Sequence, residues 1–376
     1  MKQVRIGIVG FGAMGSQHAG YLTKNKVPRA VLTAVADTDP KKLELAKKKC
    51  GPEIQVFSCI EDLLAAKCCD AVILSVPHYY HPPYAIMAMK AGYHVIVEKP
   101  AGVYTKQVVE MNEVAKTAGV VYTMMFNQRT NPLYIKVRDL VQGGELGKIK
   151  RVIWIITDWY RSQSYYDQGG WRATWSGEGG GVLLNQNPHN LDLWQWICGM
   201  PSRVRSQVYY GKHRNIEVED DVTALVEYPN GATGCYITTV GDAPGTNRLE
   251  ISGERGKIVV ENGKIHFSRL RVPEPEFNAT YKGGLGKPEV WEMEVPLGKG
   301  SYTSHAGITA NFCDAILDGA PLIAPGEEGI KGLMISNAIH LSSWTGGDWV
   351  DLPVDEDKFY QMLKEKAGGT FISDKE

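Results

Sequence analysis

Val4-Arg5-Ile6-Gly7-Ile8-Val9 runs directly into Gly10-Phe11-Gly12-Ala13-Met14-Gly15, and the stretch from Ser16 to Asn25 puts His18, Tyr21 and Leu22 at helical spacing. Branched apolar residues, then G-x-G-x-x-G, then a helical pattern describe a strand, a tight turn and a helix. The motif alone also fits a glycine turn before an unrelated helix, so its surroundings decide the reading. Gly10 suits the tight turn, Gly12 lets backbone N–H groups approach a pyrophosphate, and Gly15 lets the helix sit close to the sheet. A second strand, Val31 to Ala36, ends at Asp37, about 20 residues further on, where an acidic residue binds the hydroxyls of an adenosine ribose. A carboxylate there repels a 2′-phosphate and Thr38 brings no cation, so NAD is expected rather than NADP. Phe11, Ala13 and Met14 complete the candidate cofactor loop.

Strands and helices go on alternating, the pattern of a doubly wound parallel sheet. Ala71 to Val76 leads into Pro77-His78-Tyr79-Tyr80-His81, and a helix on Tyr84 to Ala91 precedes a strand over His94 to Val97. A fifth strand, Val120 to Phe126, brings Asn127-Gln128-Arg129 to the same edge. Ser75, Val76, Pro77, His78, His81 and Asn127 therefore join the candidate cofactor set. Either histidine is equally readable as a loop residue bonded to backbone. The strand at 94–97 ends in Glu98-Lys99-Pro100. Pro100 stops a regular central strand. Glu98 and Lys99 are thereby carried to the carboxyl end of a buried strand, where open parallel sheets bind their ligands.

With G-F-G-A-M-G at the start, S-V-P-H-Y-Y-H at 75–81, E-K-P at 98–100 and N-Q-R at 127–129, the chain resembles the Gfo/Idh/MocA oxidoreductases. A block near residue 180 extends the resemblance over nearly the whole length. It implies an N-terminal Rossmann domain for NAD(H) or NADP(H) and a C-terminal α/β domain with a large, mostly antiparallel sheet. The implied chemistry is oxidation or reduction of a sugar or cyclitol hydroxyl. A homo-oligomer, dimer or tetramer, formed through that C-terminal sheet is implied as well.

From about residue 130 the pattern changes, giving expected domains of 1–127 and 128–376. A helix over Pro132 to Gln142 ends at Gly143-Gly144. Strand-like runs then recur at 150–158, 204–210, 222–228, 232–240, 248–252, 257–261 and 290–295, mostly without helices between them. Pro-Asn-Gly at 229–231 and Asn-Gly at 262–263 are hairpin signals. An α+β domain with helices on one face of the sheet follows. Helices return at 304–317, 327–345 and 358–366.

Residues 154–175 hold Trp154, Trp159, Tyr160, Tyr165, Tyr166, Trp171 and Trp175, four of the nine tryptophans, and so read as a wall against sugar C–H faces. At least three of these rings are expected to be ordinary packing. Tyr160, Trp171 and Arg172 are the candidate substrate contacts.

The second anchor is Gly179-Gly180-Gly181-Val182-Leu183-Leu184-Asn185-Gln186-Asn187-Pro188-His189. Its glycines permit close backbone approach, and a helix is expected to carry Asn185 and His189 on one face, continued by Asp192 and Trp196. Pro188 requires that this be a first turn or a kink. In the resembling family the block reads glycine-rich, then Asp, then His four later, and those two form the active site with the E-K-P lysine. His189 and Lys99 match, whereas Asn185 stands where the family usually has Asp. Oxidising an alcohol needs a base for the hydroxyl proton. Freeing an unperturbed lysine at pH 7 costs about 4.6 kcal/mol and a histidine almost nothing. His189 is therefore the expected base, with Lys99 orienting the hydroxyl and stabilising alkoxide. Asn185, a candidate for a substrate hydroxyl, cannot raise the pKa of His189 as Asp would.

At 376 residues, two domains are expected. A net charge of −1 with no basic stripe argues against nucleic acid and anionic membrane as partners. No signal peptide or long apolar span is seen, and cytoplasm is the expected location. Seven cysteines without C-x-x-C spacing read as reduced thiols, and no metal site is expected, which disfavours a zinc alcohol dehydrogenase. The leading reading is an NAD-dependent dehydrogenase acting on a secondary hydroxyl of a sugar, glycoside or cyclitol. One alternative is a glycosidase that oxidises its sugar transiently on tightly held NAD. A non-enzymatic sensor is the other, and retention of both Lys99 and His189 argues against it.

Overall fold

The computed structural model describes residues 2–300 and 302–375. The N-terminal part is a six-stranded parallel sheet of β1 (Val4–Val9), β2 (Ala30–Ala36), β3 (Gln55–Phe57), β4 (Ala71–Leu74), β5 (His94–Val97) and β6 (Tyr122–Met124), ordered β3-β2-β1-β4-β5-β6. Helices cover both faces, so the central strands are largely apolar, and every residue of β4 is buried. The strand order reverses between β1 and β4, which opens a crevice at their carboxyl ends. The sequence reading found five of these strands. It missed β3, a three-residue edge strand whose partly exposed Gln55, Val56 and Phe57 carry no periodicity to detect.

The second sheet has nine strands: β7 (Ile149–Ile156), β8 (Arg203–Tyr210), β9 (Glu219–Glu227), β10 (Thr233–Thr239), β11 (Asn247–Gly253), β12 (Gly256–Glu261), β13 (Lys264–Leu270), β14 (Val290–Glu294) and β15 (Val350–Asp351). Their order is β14-β13-β12-β11-β7-β10-β9-β8-β15, antiparallel except for the β7–β10 pair. β13 and β15 were absent from the expected strands. β13 is the return arm of the Asn262-Gly263 hairpin, whose two left-handed residues suit a tight primed turn. Along β9, Val222, Ala224 and Val226 are buried while Thr223 and Leu225 face outward. On this face of the sheet the helix Gly329–Trp344 packs on β8, and Trp194 of the helix Pro188–Cys198 stacks on Tyr236 of β10.

The chain passes from one sheet to the other between Met124 and Ile149, but the parts interlock. The helix Ser304–Asp318 returns to pack on β1 and β5. Met124 donates its N–H to the Ala324 carbonyl, 3.0 Å away. The pairing of Arg129 with Asp192 at 2.6 Å, extended by Glu328, joins both parts through a fully buried guanidinium. Asp192 and Trp196, expected beside the catalytic pair, instead hold Arg129 from two sides.

Candidate active site

One cleft of about 570 Å³ runs from the glycine turn along the crevice to Lys99. Its lining includes Gly10, Gly12, Ala13, Met14, Asp37, Ser75, Val76, Pro77, His78, His81, Glu98, Lys99, Trp171, Arg172 and Asn185. Gly10 sits at φ 88°, and a Cβ there would come within 2.6 Å of the Ser75 carbonyl oxygen. A Cβ on Gly12 would meet nothing within 4 Å, so that side of the turn is open. The helix Ala13–Thr23 begins there with no side-chain cap, leaving first-turn N–H groups for an anion. Phe11 is buried, and its N–H donates to Asp37 Oδ2 at 2.6 Å. That contact fixes the carboxylate at the tip of β2. The Ser75 hydroxyl donates to the Gly10 carbonyl at 2.9 Å and so fastens the turn.

These features fit a dinucleotide. The turn and first-turn amides would hold its phosphates, and Asp37 its ribose. Among the described residues that line the cleft, Lys99 and Arg172 are the cations besides histidines, and none belongs to the stretch around Asp37. His78 and His81 bond backbone carbonyls, His78 Nδ1 with Glu178 O at 3.2 Å and His81 with Pro100 O at 2.7 Å and Val76 O at 2.9 Å. Burial lowers the pKa of both. Asn127 follows β6, outside the cleft lining, with a buried Oδ1 that has no partner among the described residues.

At the far end Lys99 donates from Nζ to the Asn185 carbonyl at 2.9 Å. Burial pulls its pKa below the ordinary value. Glu98 and Glu178 oppose that fall, and Arg172 and Arg161 add to it. Glu98 is buried against His18, 2.7 Å away; His18 in turn meets the Tyr21 hydroxyl at 2.8 Å, and that hydroxyl lies 2.7 Å from Thr309 Oγ1. Burial alone would raise the Glu98 carboxyl, but His18 and then Lys99 hold it at about 2. The sequence reading used His18 and Tyr21 only as markers of helical spacing. Their partners lie 80 and 288 residues away.

The expected single helix through Asn185 and His189 is in fact two segments. Val182–Gln186 forms one π turn, and an α-helix begins at Pro188 and runs to Cys198. Proline at a first helical position lacks only an N–H that would be unpaired anyway, which explains the break. The glycine block is tightly seated, for a Cβ on Gly181 would approach the Glu219 carbonyl oxygen to 2.1 Å. The buried Glu219 carboxyl accepts from Gly181 N at 2.8 Å and Leu183 N at 2.9 Å, and burial pushes it up to about 8. His189 is half-buried, edge-on to Phe126, and its Nδ1 has no partner among the described residues. Burial, then Lys99, lowers its pKa to about 3, so it is neutral.

The wall beside Lys99 is Trp171 and Arg172. The Arg172 guanidinium lies over both the Trp171 and Tyr165 rings and donates to the Tyr165 hydroxyl at 2.7 Å. Tyr160 is half exposed under Arg214, outside the cleft lining. Trp154, Tyr166 and Trp175 are buried packing. Glu178, unnoticed in the sequence, is buried at the base of this wall. It accepts from Asn185 Nδ2 and, at 2.6 Å, from Ala173 N, with Arg172 3.8 Å away. An acidic residue abutting three glycines was the only signal.

A model of an oxidoreductase family with an NAD-binding Rossmann fold matches residues 4–126, and that of a Gfo/Idh/MocA C-terminal domain matches residues 134–259. Inositol 2-dehydrogenase from Corynebacterium glutamicum is 27% identical over 61% of this chain, and the match spans 65% of that enzyme, just under two thirds of its length. Levoglucosan dehydrogenase from Pseudarthrobacter phenanthrenivorans is 24% identical, over 94% of this chain and 99% of its own. The crystal structure of the WlbA dehydrogenase from Chromobacterium violaceum, in complex with NADH and UDP-GlcNAcA, superposes with a TM-score of 0.80. It is 30% identical and covers 94% of this chain and 97% of its own.

Proposed function

Because this chain belongs to the Gfo/Idh/MocA family of NAD-binding oxidoreductases, we propose that it oxidises or reduces a secondary hydroxyl of a sugar or cyclitol. The observation that carries the reading is a single cleft with the open glycine turn and Asp37 at one end and Lys99, Asn185 and the Trp171–Arg172 wall at the other. NAD, when bound, supplies the hydride acceptor. The chain's own part is to orient the hydroxyl and move its proton. His189, held neutral, takes the proton of the hydroxyl. Lys99 donates to the same oxygen as negative charge develops on it. Asn185 positions a neighbouring hydroxyl, and the Trp171 ring offers an apolar face to the sugar. Inositol and levoglucosan, named in two relatives, and the UDP-GlcNAcA of a solved neighbour define the substrate range to examine. The face of the second sheet that shows Tyr209 and Leu225 supports self-association there.

The test is to denature purified protein and assay released nucleotide, then to incubate native protein with NAD and a panel of cyclitols, sugars and nucleotide sugars. NADH absorbance growing on one of them, and lost in Lys99→Ala, is the expected result. Protein that neither retains nor binds the nucleotide refutes the reading from Gly10 onward.

A further inference from the structure

We propose that Glu178 is the positioning residue that sets which way the Asn185 carboxamide faces, so that Asn185 Oδ1 is the atom presented to a substrate hydroxyl. The inference rests on the reading of the cleft as the reaction site. An ionised carboxylate has only acceptor oxygens, so a carboxamide touching it must turn its NH2 group toward it. Glu178 Oε1 accepts from Asn185 Nδ2, and Glu178 Oε2 is already committed to the Ala173 N–H at 2.6 Å. Among the described residues Asn185 is therefore left with Oδ1 as its free side-chain acceptor, beside the cleft it lines, and with the second hydrogen of Nδ2. The Asn185 main-chain carbonyl is separately occupied by Lys99 Nζ at 2.9 Å. One residue thus holds the lysine through its backbone and a substrate hydroxyl through its side chain.

Glu178 also restores the charge that position 185 lacks. Its buried carboxylate, 3.8 Å from Arg172, acts on Lys99 in the direction that keeps the ammonium protonated. Its own main-chain carbonyl faces His78 Nδ1 at 3.2 Å, which ties the glycine-rich segment to the loop after β4. Burial raises the Glu178 carboxyl above its ordinary value, against the Ala173 amide, Arg172 and Asn185. Below its pKa the compulsion on Asn185 disappears, because a protonated carboxyl can donate as well as accept.

The experiment is a charge exchange read in two ways. Glu178→Gln removes the compulsion, and Asn185→Asp sets two carboxylates side by side. Each is expected to lower kcat/KM by about tenfold or more. In the double variant the carboxylate and the carboxamide have changed places and can still pair, so activity is expected to recover to within about threefold of the unaltered enzyme. Losses that simply multiply overturn the proposal. The second readout needs no turnover: the 15N resonance of the Asn185 side-chain amide, identified by its loss in Asn185→Asp, follows a carboxyl titration that Glu178→Gln abolishes. A resonance indifferent to pH overturns the proposal too. If the amide titrates while no compound of the panel is oxidised, the positioning stands and the functional reading falls.

Discussion

Replacing Lys99 by Met tests the reaction end of the cleft most directly. Among the described residues the ammonium makes one hydrogen bond, to the Asn185 carbonyl at 2.9 Å, which leaves two N–H groups for a substrate oxygen. Met keeps the apolar stem and removes all three donors. A donor aimed at charge that develops only in the transition state is worth about 2.7–4 kcal/mol, so kcat should fall roughly 10²–10³-fold. The pH profile of the unaltered enzyme carries the sign. If Lys99 must be charged, activity is full below its pKa and is lost as pH rises through it. Burial places that alkaline limb below the ordinary lysine value. His189, at about 3, contributes no acid limb near neutrality. If Lys99 were instead the base, activity would rise with pH across the same interval. The assay is NADH absorbance at saturating NAD between pH 5 and pH 10.5, taken as about the upper limit set by free lysine, with kcat/KM for the sugar extracted at each point. An ascending limb there, missing from Lys99→Met, refutes the assignment of the proton to His189.

Four further outcomes are expected. His189→Ala should lower kcat about 10²–10⁴-fold while NADH binding, followed by its fluorescence, is unchanged; a comparable loss of NADH affinity would remove His189 from proton transfer. Asp37→Ala removes the acceptor for the Phe11 N–H and should weaken NAD binding by roughly 1–3 kcal/mol while NADP loses less, so the ratio of the two Kd values narrows. Arg129→Met leaves Asp192 buried without its cation, and urea unfolding should report a loss of roughly 3–5 kcal/mol. Glu219 titrates at about 8 when folded, far above an unfolded carboxyl, so it binds a proton more readily in the folded state. Its stability contribution is present below the unfolded value and is lost as pH rises toward 8, by up to roughly 4–5 kcal/mol. Chemical denaturation across that range should show the unaltered protein losing stability relative to Glu219→Gln, and parallel curves would contradict it.

What could be read from the chain follows the range of the interactions involved. The glycine turn, Asp37 and Lys99 belong to a strand–turn–helix unit and to strand ends, where side-chain spacing and ladder position are local properties, so the cleft's outline is legible in the sequence. The strands missed were the short or peripheral ones, β3, β13 and β15, in which few buried positions repeat. Pro188 was a visible irregularity, but whether it kinked a helix or began one depended on Glu219, which binds the Gly181 and Leu183 amides from 38 and 36 residues away and stabilises the π turn as a separate piece. The charge around Lys99 shows the same limit more sharply. Position 185, where the resembling family has Asp, holds Asn, and taken alone that substitution predicts a site without its acid. Folding sets the Glu178 carboxylate against that amide from 7 residues upstream. A helix would put residues 7 apart two turns from each other; here glycines at 179–181 and the π turn fold the segment back so that the two side chains touch. A carboxylate is therefore present beside position 185, supplied from elsewhere in the chain. A motif that scores only position 185 registers the asparagine and misses the carboxylate that folding sets against it.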